Sequence, residues 1–154
     1  MNSPVGNLII LTSTAGLHAI AWNRKIISDF IANPIRDPDE KTIVEAKKQL
    51  NDYFQNERKT FNLPLVLQGS PFQIQVWKQL LKIPFGTTIS YGEQAKSIGD
   101  KNKARAVGAA NGRNPISIVI PCHRVIGSRG HLVGFGGGIE KKAYLLNLEK
   151  KHSC

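Results

Sequence analysis

The residue pattern of the chain changes at Ser70, and this change limits the folds that are open to it. Before Ser70, residues 7–12 and 16–22 are short apolar runs separated by turn-forming residues, which predicts two β-strands joined by a turn. After Ser70, apolar residues recur at helical spacing. With 41% hydrophobic residues the chain can bury a core, so we expect a strand-bearing first part and a mainly helical second part.

Three other segments of the first part have weaker patterns. Residues 25–31 fit a third strand. Residues 37–40 (Asp-Pro-Asp-Glu) fit a helix start, with the first Asp as the cap and Pro at the first helical position, and helical spacing continues to about Asn56. Residues 61–67 alternate in polarity, but Pro64 cannot donate a ladder hydrogen bond, so we expect an extended connector rather than a central strand.

Capping signals mark two helix starts in the second part. Ser70 with Gln73 opens one helix, and Ser90 with Glu93 opens a second, shorter helix. A glycine-containing turn then leads to a further helix over about residues 102–111. Two short helices joined by such a turn are typical of a helix-turn-helix, a unit that many DNA-binding proteins use.

The positive charge of the chain is concentrated in its second part. Residues 1–69 carry 8 Lys/Arg against 7 Asp/Glu, whereas residues 70–154 carry 13 against 4, within a net charge of +10. This asymmetry favours a polyanion such as nucleic acid as the partner of the second part, and the alternative is a basic surface that only keeps the protein soluble. With no signal pattern and no apolar run near membrane-spanning length, we expect a cytoplasmic protein without a membrane segment.

One cysteine lies next to a histidine inside the second part. Cys122 and His123 follow the apolar run 116–120, and Arg124 adds positive potential that favours a reactive thiolate. A last helix is expected over about residues 139–150, where Glu149 falls on the apolar side and so needs a partner. The three side chains fit a relay of nucleophile, base and orienting acid. One internal cysteine and scattered histidines do not make a zinc site, so no metal is predicted.

Six short motifs of the second part occur in a fixed order. They are Ser90-Tyr91-Gly92, Arg105-Ala106-Val107-Gly108, Asn114-Pro115, Pro121-Cys122-His123-Arg124-Val125, Gly134-Phe135-Gly136-Gly137-Gly138 and Leu145-Leu146-Asn147-Leu148-Glu149. Together they resemble the motifs of the O6-alkylguanine-DNA alkyltransferases. The resemblance is strong from about Gly69 to Lys150 and weaker before that, in Ser3–Gly6 and residues 46–61.

The resemblance implies an α/β (α+β) fold and a single-turnover repair reaction. The implied domains are an N-terminal supporting domain, residues 1–69, with an antiparallel sheet plus a helix, and a C-terminal DNA-binding alkyltransferase domain, residues 70–154. The lesion base, O6-alkylguanine and by extension O4-alkylthymine, is flipped out of the duplex, and Cys122 takes its alkyl group. The implied protein is a monomer that acts on double-stranded DNA through the minor groove and needs no cofactor.

The same resemblance implies roles for individual residues. His123 takes the thiol proton through a water with Glu149 orienting it, Tyr91 donates a hydrogen bond to the departing guanine, and Asn114 braces the turn before the active site. Arg105 fills the gap that the flipped base leaves. The implied DNA-contacting residues are Ser90, Tyr91, Gly92, Arg105, Ala106, Gly108, Ala109, Arg124 and Ser128. The implied pocket residues are Tyr91, Asn111, Val125, Gly127, Ser128, Phe135, Gly136 and Gly137.

Other interpretations stay open at this point. Taken singly, Tyr91 fits a core residue at a helix start, Arg105 a solvated helix face and Asn114 an ordinary turn residue. The function classes to be distinguished are the alkyltransferase, a non-catalytic protein that binds alkylguanine lesions, and an unrelated Cys-His hydrolase. The presence of Cys122 argues against the lesion binder, and the DNA-binding features have no place in the hydrolase.

Overall fold

The structure, a computed structural model, divides into two compact units. It describes residues 1–30, 39–132, 134–135 and 137–152, without the side chains of residues 26, 29, 30 and 129. One unit comprises Met1–Gln68 and Pro115–Ser117, and the other comprises Gly69–Asn114 and Ile118–Cys154.

The first unit is built on an antiparallel hairpin. Its elements are β1 (Asn2–Ser3), β2 (Gly6–Asn7), β3 (Ile9–Ser13), β4 (Gly16–Ala21), α1 (Arg24–Phe30) and α2 (Glu40–Phe54). Strands β3 and β4 pair from Ile9 opposite Ala21 to Ser13 opposite Gly16, which confirms the predicted hairpin. The core of the unit includes Leu17 and Ile20, whose side chains are fully buried. Antiparallel strand pairs together with helices confirm the expected mixed α+β class.

Two predictions for the first unit are corrected. The strand expected over residues 25–31 is wrong, because helix α1 occupies Arg24–Phe30. Ile26, Ile27 and Phe30 are spaced three and four residues apart, which is helical spacing rather than strand alternation. Helix α2 begins at Glu40, two residues after the expected first position, because Asp39 is its cap and accepts from the Lys41 backbone over 3.3 Å. The predicted cap and proline, at positions 37 and 38, lie outside the described residues.

Strand β4 is flanked by two extended segments of the same unit. Leu17 donates to the Pro64 carbonyl over 2.7 Å and accepts from the Val66 amide over 2.9 Å. The segment 61–67 therefore pairs with β4 through a single bridge, as an extended connector with Pro64 acting only as an acceptor. Further along β4, Ile20 donates to the Pro115 carbonyl over 2.9 Å and accepts from the Ser117 amide over 3.1 Å.

The second unit is mainly helical. Its elements are α3 (Pro71–Leu80), β5 (Ile89–Ser90), α4 (Tyr91–Ser97), a 3-10 turn at Lys101–Lys103, α5 (Ala104–Gly112), a 3-10 turn at Cys122–Arg124, β6 (Val125–Ile126), a 3-10 turn at Ser128–Gly130 and α6 (Ile139–Lys151). Both predicted capping boxes are confirmed, since each serine accepts from the backbone three residues later and that residue's side chain returns the bond. Trp77 anchors α3 to α5 by donating from Nε1 to the Ala110 carbonyl over 2.9 Å in the core.

Helices α4 and α5 form the predicted pair of short helices joined by a glycine turn. Gly99 follows α4 with φ +102°, a left-handed conformation that glycine adopts without a steric penalty. Asp100 then caps the 3-10 turn by accepting from the Asn102 backbone over 2.9 Å. The turn leads directly into α5, whose buried side includes Val107 and Ala110.

A short parallel strand pair brings the start of α4 next to the cysteine turn. Ile89 pairs with Val125, and Ser90 pairs with Ile126. Because α4 begins directly after β5 and the 3-10 turn ends directly before β6, this pairing sets both beside one another. The apolar run 116–120 before the turn is not a strand, since Ile118 has φ +74°, a conformation that a β-branched residue rarely adopts.

Candidate active site

Cys122 is the first residue of a 3-10 turn and is nearly buried. Its side chain is 8% exposed, and burial raises the pKa of the thiol above its ordinary value despite a hydrogen bond from the Asn114 side chain and the charge of Lys142. Asn114 also donates from Nδ2 to the Ile120 carbonyl over 2.8 Å, which ties the residues before the turn to the end of α5. The resting thiol is therefore protonated at neutral pH, so a nucleophilic reaction needs a base.

His123 and Glu149 supply a buried, oriented imidazole. His123 Nε2 lies 2.5 Å from Glu149 Oε2, and both side chains are buried. An ionised carboxylate can only accept, so the histidine proton is on Nε2 and the lone pair is on Nδ1. Nδ1 is buried and has no protein partner within the described part of the chain. Burial lowers the pKa of His123 more than Glu149 raises it, which keeps the imidazole neutral and able to accept a proton at Nδ1.

The Glu149 carboxylate is held ionised by several donors. Besides His123, it accepts from Arg124 Nε over 2.7 Å and from the Gly86 amide over 3.2 Å. Burial raises its pKa, but the hydrogen bonds and charges of His123 and Arg124 outweigh burial and bring the pKa well below its ordinary value. The expected pairing of Glu149 with His123 is thus present, together with Arg124 and the Gly86 amide, two partners that the sequence did not indicate.

Arg124 lies in the interior, which does not agree with the DNA contact expected of it. Its side chain is 7% exposed, and Nη1 donates to the Ile83 carbonyl over 2.7 Å. Its guanidinium lies 5.8 Å from the centre of the Phe85 ring. Because the guanidinium is committed to Glu149 and to this carbonyl, it is not available to a phosphate group. The charge that lowers the pKa of Cys122 is that of Lys142, whereas the Arg124 guanidinium is directed to Glu149.

Tyr91 is the first residue of α4 and lies close to the cysteine. Burial raises the pKa of its hydroxyl, and the nearby Cys122 raises it further. The side chain therefore stays protonated at neutral pH and can donate a hydrogen bond. A Cβ atom placed on Gly134, which has φ +53°, would lie 3.9 Å from the Tyr91 hydroxyl. The glycine-rich loop thus approaches the phenol closely.

Lys142 is a site residue that the sequence reading missed. Its side chain is fully buried, Nζ donates to the Val125 carbonyl over 2.6 Å, and the ammonium lies 5.7 Å from the centre of the Tyr91 ring. Its charge lowers the pKa of Cys122, although burial dominates that pKa. The sequence did contain a sign that Lys142 is buried. Lys142 lies one turn before Leu145 and Glu149 lies one turn after it, so both are on the apolar side of α6.

Helix α5 presents small residues and one arginine to solvent. Arg105, Ala106 and Ala109 are exposed, and Gly108 is half-buried. A Cβ atom on Gly108 would lie 3.7 Å from the Tyr91 ring, so α5 passes close to the phenol. The exposed side of this helix can therefore approach another molecule closely, with one long cationic side chain near its start.

The other expected contact and pocket residues differ in their exposure and their partners. Ser90 caps α4 by accepting from the Glu93 amide over 3.0 Å, with the exposed Gly92 beside it. Asn111 is buried and its amide is paired with Gln94. Of the remaining expected residues, Val125 is buried and Ser128 is exposed. Half-buried positions are Gly127, Phe135 and Gly137, and Gly136 lies outside the described residues.

Two features are absent from the described part of the chain. No group of three or more His, Cys, Asp or Glu side chains there is arranged to hold a metal ion. Within the same residues, no helix combines the length and the apolar character that a membrane crossing requires.

Comparisons with known proteins agree on one family. A family model described as 6-O-methylguanine DNA methyltransferase, DNA binding domain, matches residues 71–151, and one described as the ribonuclease-like domain of the same methyltransferase matches residues 1–67. A methylated-DNA–protein-cysteine methyltransferase of Mycobacterium leprae is 46% identical, covering 97% of this chain and 90% of the relative. The constitutive methylated-DNA–protein-cysteine methyltransferase of Bacillus subtilis is 41% identical, covering 96% and 92%.

A solved structure extends the likeness to the fold. The crystal structure of Mycobacterium tuberculosis OGT in complex with DNA is 45% identical in sequence, with a TM-score of 0.87, and the match covers 99% of this chain and 91% of that one. The family models between them span both parts of the chain, and the relatives match it over nearly its full length. The chain therefore belongs to the 6-O-methylguanine DNA methyltransferase family.

Proposed function

We propose that this protein repairs O6-alkylguanine in double-stranded DNA by transferring the alkyl group to Cys122 in a single turnover. The observation that carries the proposal is the buried Cys122–His123–Glu149 arrangement, in which a protonated thiol is followed along the chain by a neutral imidazole that a carboxylate orients. The names of the relatives support the same reaction, and a relative crystallised with DNA supports the partner.

In the proposed reaction one bond forms to sulfur as one bond to oxygen breaks. His123 Nδ1 takes the Cys122 proton through a water molecule, and the sulfur electron pair attacks the alkyl carbon of the lesion. The bond from that carbon to guanine O6 breaks, and its electron pair stays with the guanine, which regains a proton. Tyr91 donates a hydrogen bond to the guanine as the negative charge develops. The product thioether has no good leaving group, so the protein is consumed.

Three neighbouring side chains serve the proposed reaction without reacting themselves. The Asn114 amide hydrogen-bonds the sulfur and holds the residues before the turn. The Lys142 ammonium stabilises the thiolate as it forms and braces the Tyr91 ring. Arg124 keeps Glu149 ionised, and thereby keeps the proton of His123 on Nε2.

The proposed DNA contact uses the exposed side of α5 in the minor groove. Arg105 enters the duplex where the lesion base has flipped out, and Ala106, Gly108 and Ala109 allow the helix to approach closely. Flipping costs a few kcal/mol for a normal base pair and less for a damaged one, which favours lesions. The half-buried Ser90 and the exposed Gly92 and Ser128 would contact the DNA backbone.

The proposal also covers the base pocket, the range of lesions, and the location, oligomeric state and domain roles of the protein. The proposed pocket for the flipped base is formed by Tyr91, Val125, Gly127, Ser128, Phe135, Gly136 and Gly137, without Asn111, whose amide is paired with Gln94. We extend the substrates to O4-alkylthymine. We further propose a cytoplasmic monomer in which residues 70–154 carry the chemistry and residues 1–69 support them.

Intact-protein and peptide mass measurements test the proposal. The protein is incubated with a duplex that contains O6-methylguanine, and one added methyl group is expected, on the peptide that contains Cys122. Cys122→Ser should gain no mass, and Cys154→Ser should react as the unaltered protein does. Tight lesion binding without a mass gain would indicate a lesion binder instead, and turnover of an ester or amide would indicate a hydrolase.

A further inference from the structure

Two buried side-chain amides join α4 to α5. Gln94 Nε2 donates to Asn111 Oδ1 over 3.0 Å, and Asn111 Nδ2 donates to Gln94 Oε1 over 2.7 Å. Gln94 is fully buried and Asn111 is 4% exposed. Because each amide has one donor side and one acceptor side, this reciprocal pair forms in only one relative arrangement of the two helices.

The amide pair lies between groups that have separate tasks in the proposed reaction. On α4, Gln94 lies one turn after Tyr91, which faces the departing guanine. On α5, Asn111 lies one turn after Gly108, where the helix passes the Tyr91 ring, and less than two turns after Arg105. The pair is therefore a direct polar link between the helix that engages the duplex and the helix that carries the hydrogen-bond donor for the base.

Contacts to other elements hold each helix separately. Trp77 ties α5 to α3 through the Ala110 carbonyl, and Lys142 of α6 lies against Tyr91 at the start of α4. These contacts would keep both helices in the fold if the amide pair were lost. Loss of the pair would leave a buried amide without a partner, which the helices can relieve by shifting relative to each other.

We propose that Gln94 and Asn111 are a positioning pair that couples α5 to Tyr91, so that the docking of α5 on a damaged duplex places the flipped base against the Tyr91 hydroxyl. Neither side chain touches the reacting atoms. This inference rests on the proposed function, and it gives Asn111 a part different from that of a pocket wall. Its consequence is that the pair matters for a lesion in duplex DNA and much less for a free base, which reaches the pocket without α5.

The test compares two substrates in the full-length protein. Second-order rate constants of alkyl transfer are measured with an O6-methylguanine duplex and with free O6-benzylguanine, well below the unfolding temperature of each variant. Gln94→Leu breaks the pair, and Gln94→Asn combined with Asn111→Gln restores it with the same total side-chain length. Val76→Ala, in the buried face of α3, is the control for general destabilisation. If Gln94→Leu does not fold, Gln94→Met takes its place, because methionine has a similar length and no amide group to pair with Asn111.

The coupling predicts a change in the ratio of the two rates. Gln94→Leu should lower the duplex rate about tenfold relative to the free-base rate, the scale expected when a buried amide loses its partner. The exchanged pair should recover most of the duplex rate, and Val76→Ala should leave the ratio unchanged. Equal losses on both substrates, or no recovery in the exchanged pair, would overturn the inference. A failure of the proposed function would give a different result, because Cys122 of the unaltered protein would then take an alkyl group from neither substrate.

Discussion

At the scale of single residues, Glu149 has the largest set of interactions in the site. It is a buried anion with an imidazole, a guanidinium and a backbone amide as donors. Removing one partner of such a group is costly, because the other charge stays buried without compensation. The carboxylate therefore serves both the stability of the second unit and the orientation of His123.

Replacement of this carboxylate should be visible in stability. Glu149→Gln should lower the free energy of unfolding at neutral pH by about 3 kcal/mol, since it leaves Arg124 buried and unpaired. The folded-state pKa of Glu149 is lowered from 4.5, so its stabilising effect is present above that value and is lost as the pH falls below it. The difference between the two proteins should accordingly shrink below pH 4.5. Urea denaturation over a pH series measures this difference, and a gap that widened in acid would contradict it.

The protonation states of Cys122 and His123 predict the pH dependence of the reaction. The thiol pKa is raised by burial, and the imidazole pKa is lowered below 6.5 by burial. The reactive state, a neutral imidazole beside a protonated thiol, should therefore persist through neutral pH, and the rate should fall only below pH 6.5.

Single-turnover rates with free O6-benzylguanine measure this profile without the DNA-binding step. His123→Asn serves as the control, because it removes the base while it keeps a polar side chain. A rate that rises about tenfold per pH unit above pH 7 would instead indicate prior ionisation of the thiol without a base.

Residue-level reasoning from the sequence succeeded for Glu149 and failed for Lys142 and Arg124. An acid at an apolar helix position needs a buried partner, so its position in the helix was enough to predict that Glu149 is paired. Lysine and arginine have long apolar stems that cover surface with the charge in water, so their polarity does not indicate burial. Only tertiary packing shows that the Arg124 guanidinium turns inward and that the Lys142 ammonium meets a backbone carbonyl.

At the scale of elements, α5 combines an exposed side of small residues with a buried side that packs on α3 and α4. The glycine turn before α5 was predicted from the sequence, whereas the Asp100 cap of the 3-10 turn that leads into the helix was not. Helix α1 of the first unit was not predicted from the sequence, because seven residues are too few to distinguish helical from strand spacing reliably. The reciprocal amide pair was also beyond sequence reasoning, since nothing local indicates that Gln94 faces Asn111.

Removal of the arginine on α5 should affect duplex substrates selectively. Arg105→Ala should slow repair of O6-methylguanine in a duplex by about tenfold or more, since flipping is costly without an occupant for the gap, and should change the reaction of free O6-benzylguanine little. Lys47→Ala, which removes an exposed charge from α2 in the first unit, is the matched control. Single-turnover rates on both substrates measure the effect, and equal losses on the two would count against the role of Arg105.

At the scale of the whole molecule, the excess positive charge lies in the same part of the chain as the candidate active site. Residues 70–154 hold 13 Lys/Arg against 4 Asp/Glu, and this part contains the cysteine turn and α5. The sequence showed this asymmetry and the mixed fold class directly. It did not show that Pro115–Ser117, between α5 and the cysteine turn, belongs to the first unit, because that pairing with β4 joins residues far apart in the chain.

The charge asymmetry predicts a strong salt dependence of DNA binding. Each phosphate contact releases counterions, so the logarithm of the affinity should fall linearly with the logarithm of salt concentration, by about 0.9 per contact. Fluorescence anisotropy with an undamaged duplex over a salt series measures this slope. Cys122→Ser should give the same slope, since it changes no charge, whereas an affinity that did not vary with salt would exclude phosphate contacts as the source of binding.

The most direct test of the account is a titration of the protein with excess lesion. Duplex O6-methylguanine is supplied in about tenfold excess over the protein, and the repaired guanine is quantified until the reaction stops. The account predicts a plateau at one guanine repaired per protein, with all of the Cys122 recovered as its thioether. Repair that continued past one equivalent, or a plateau with Cys122 unmodified, would contradict it.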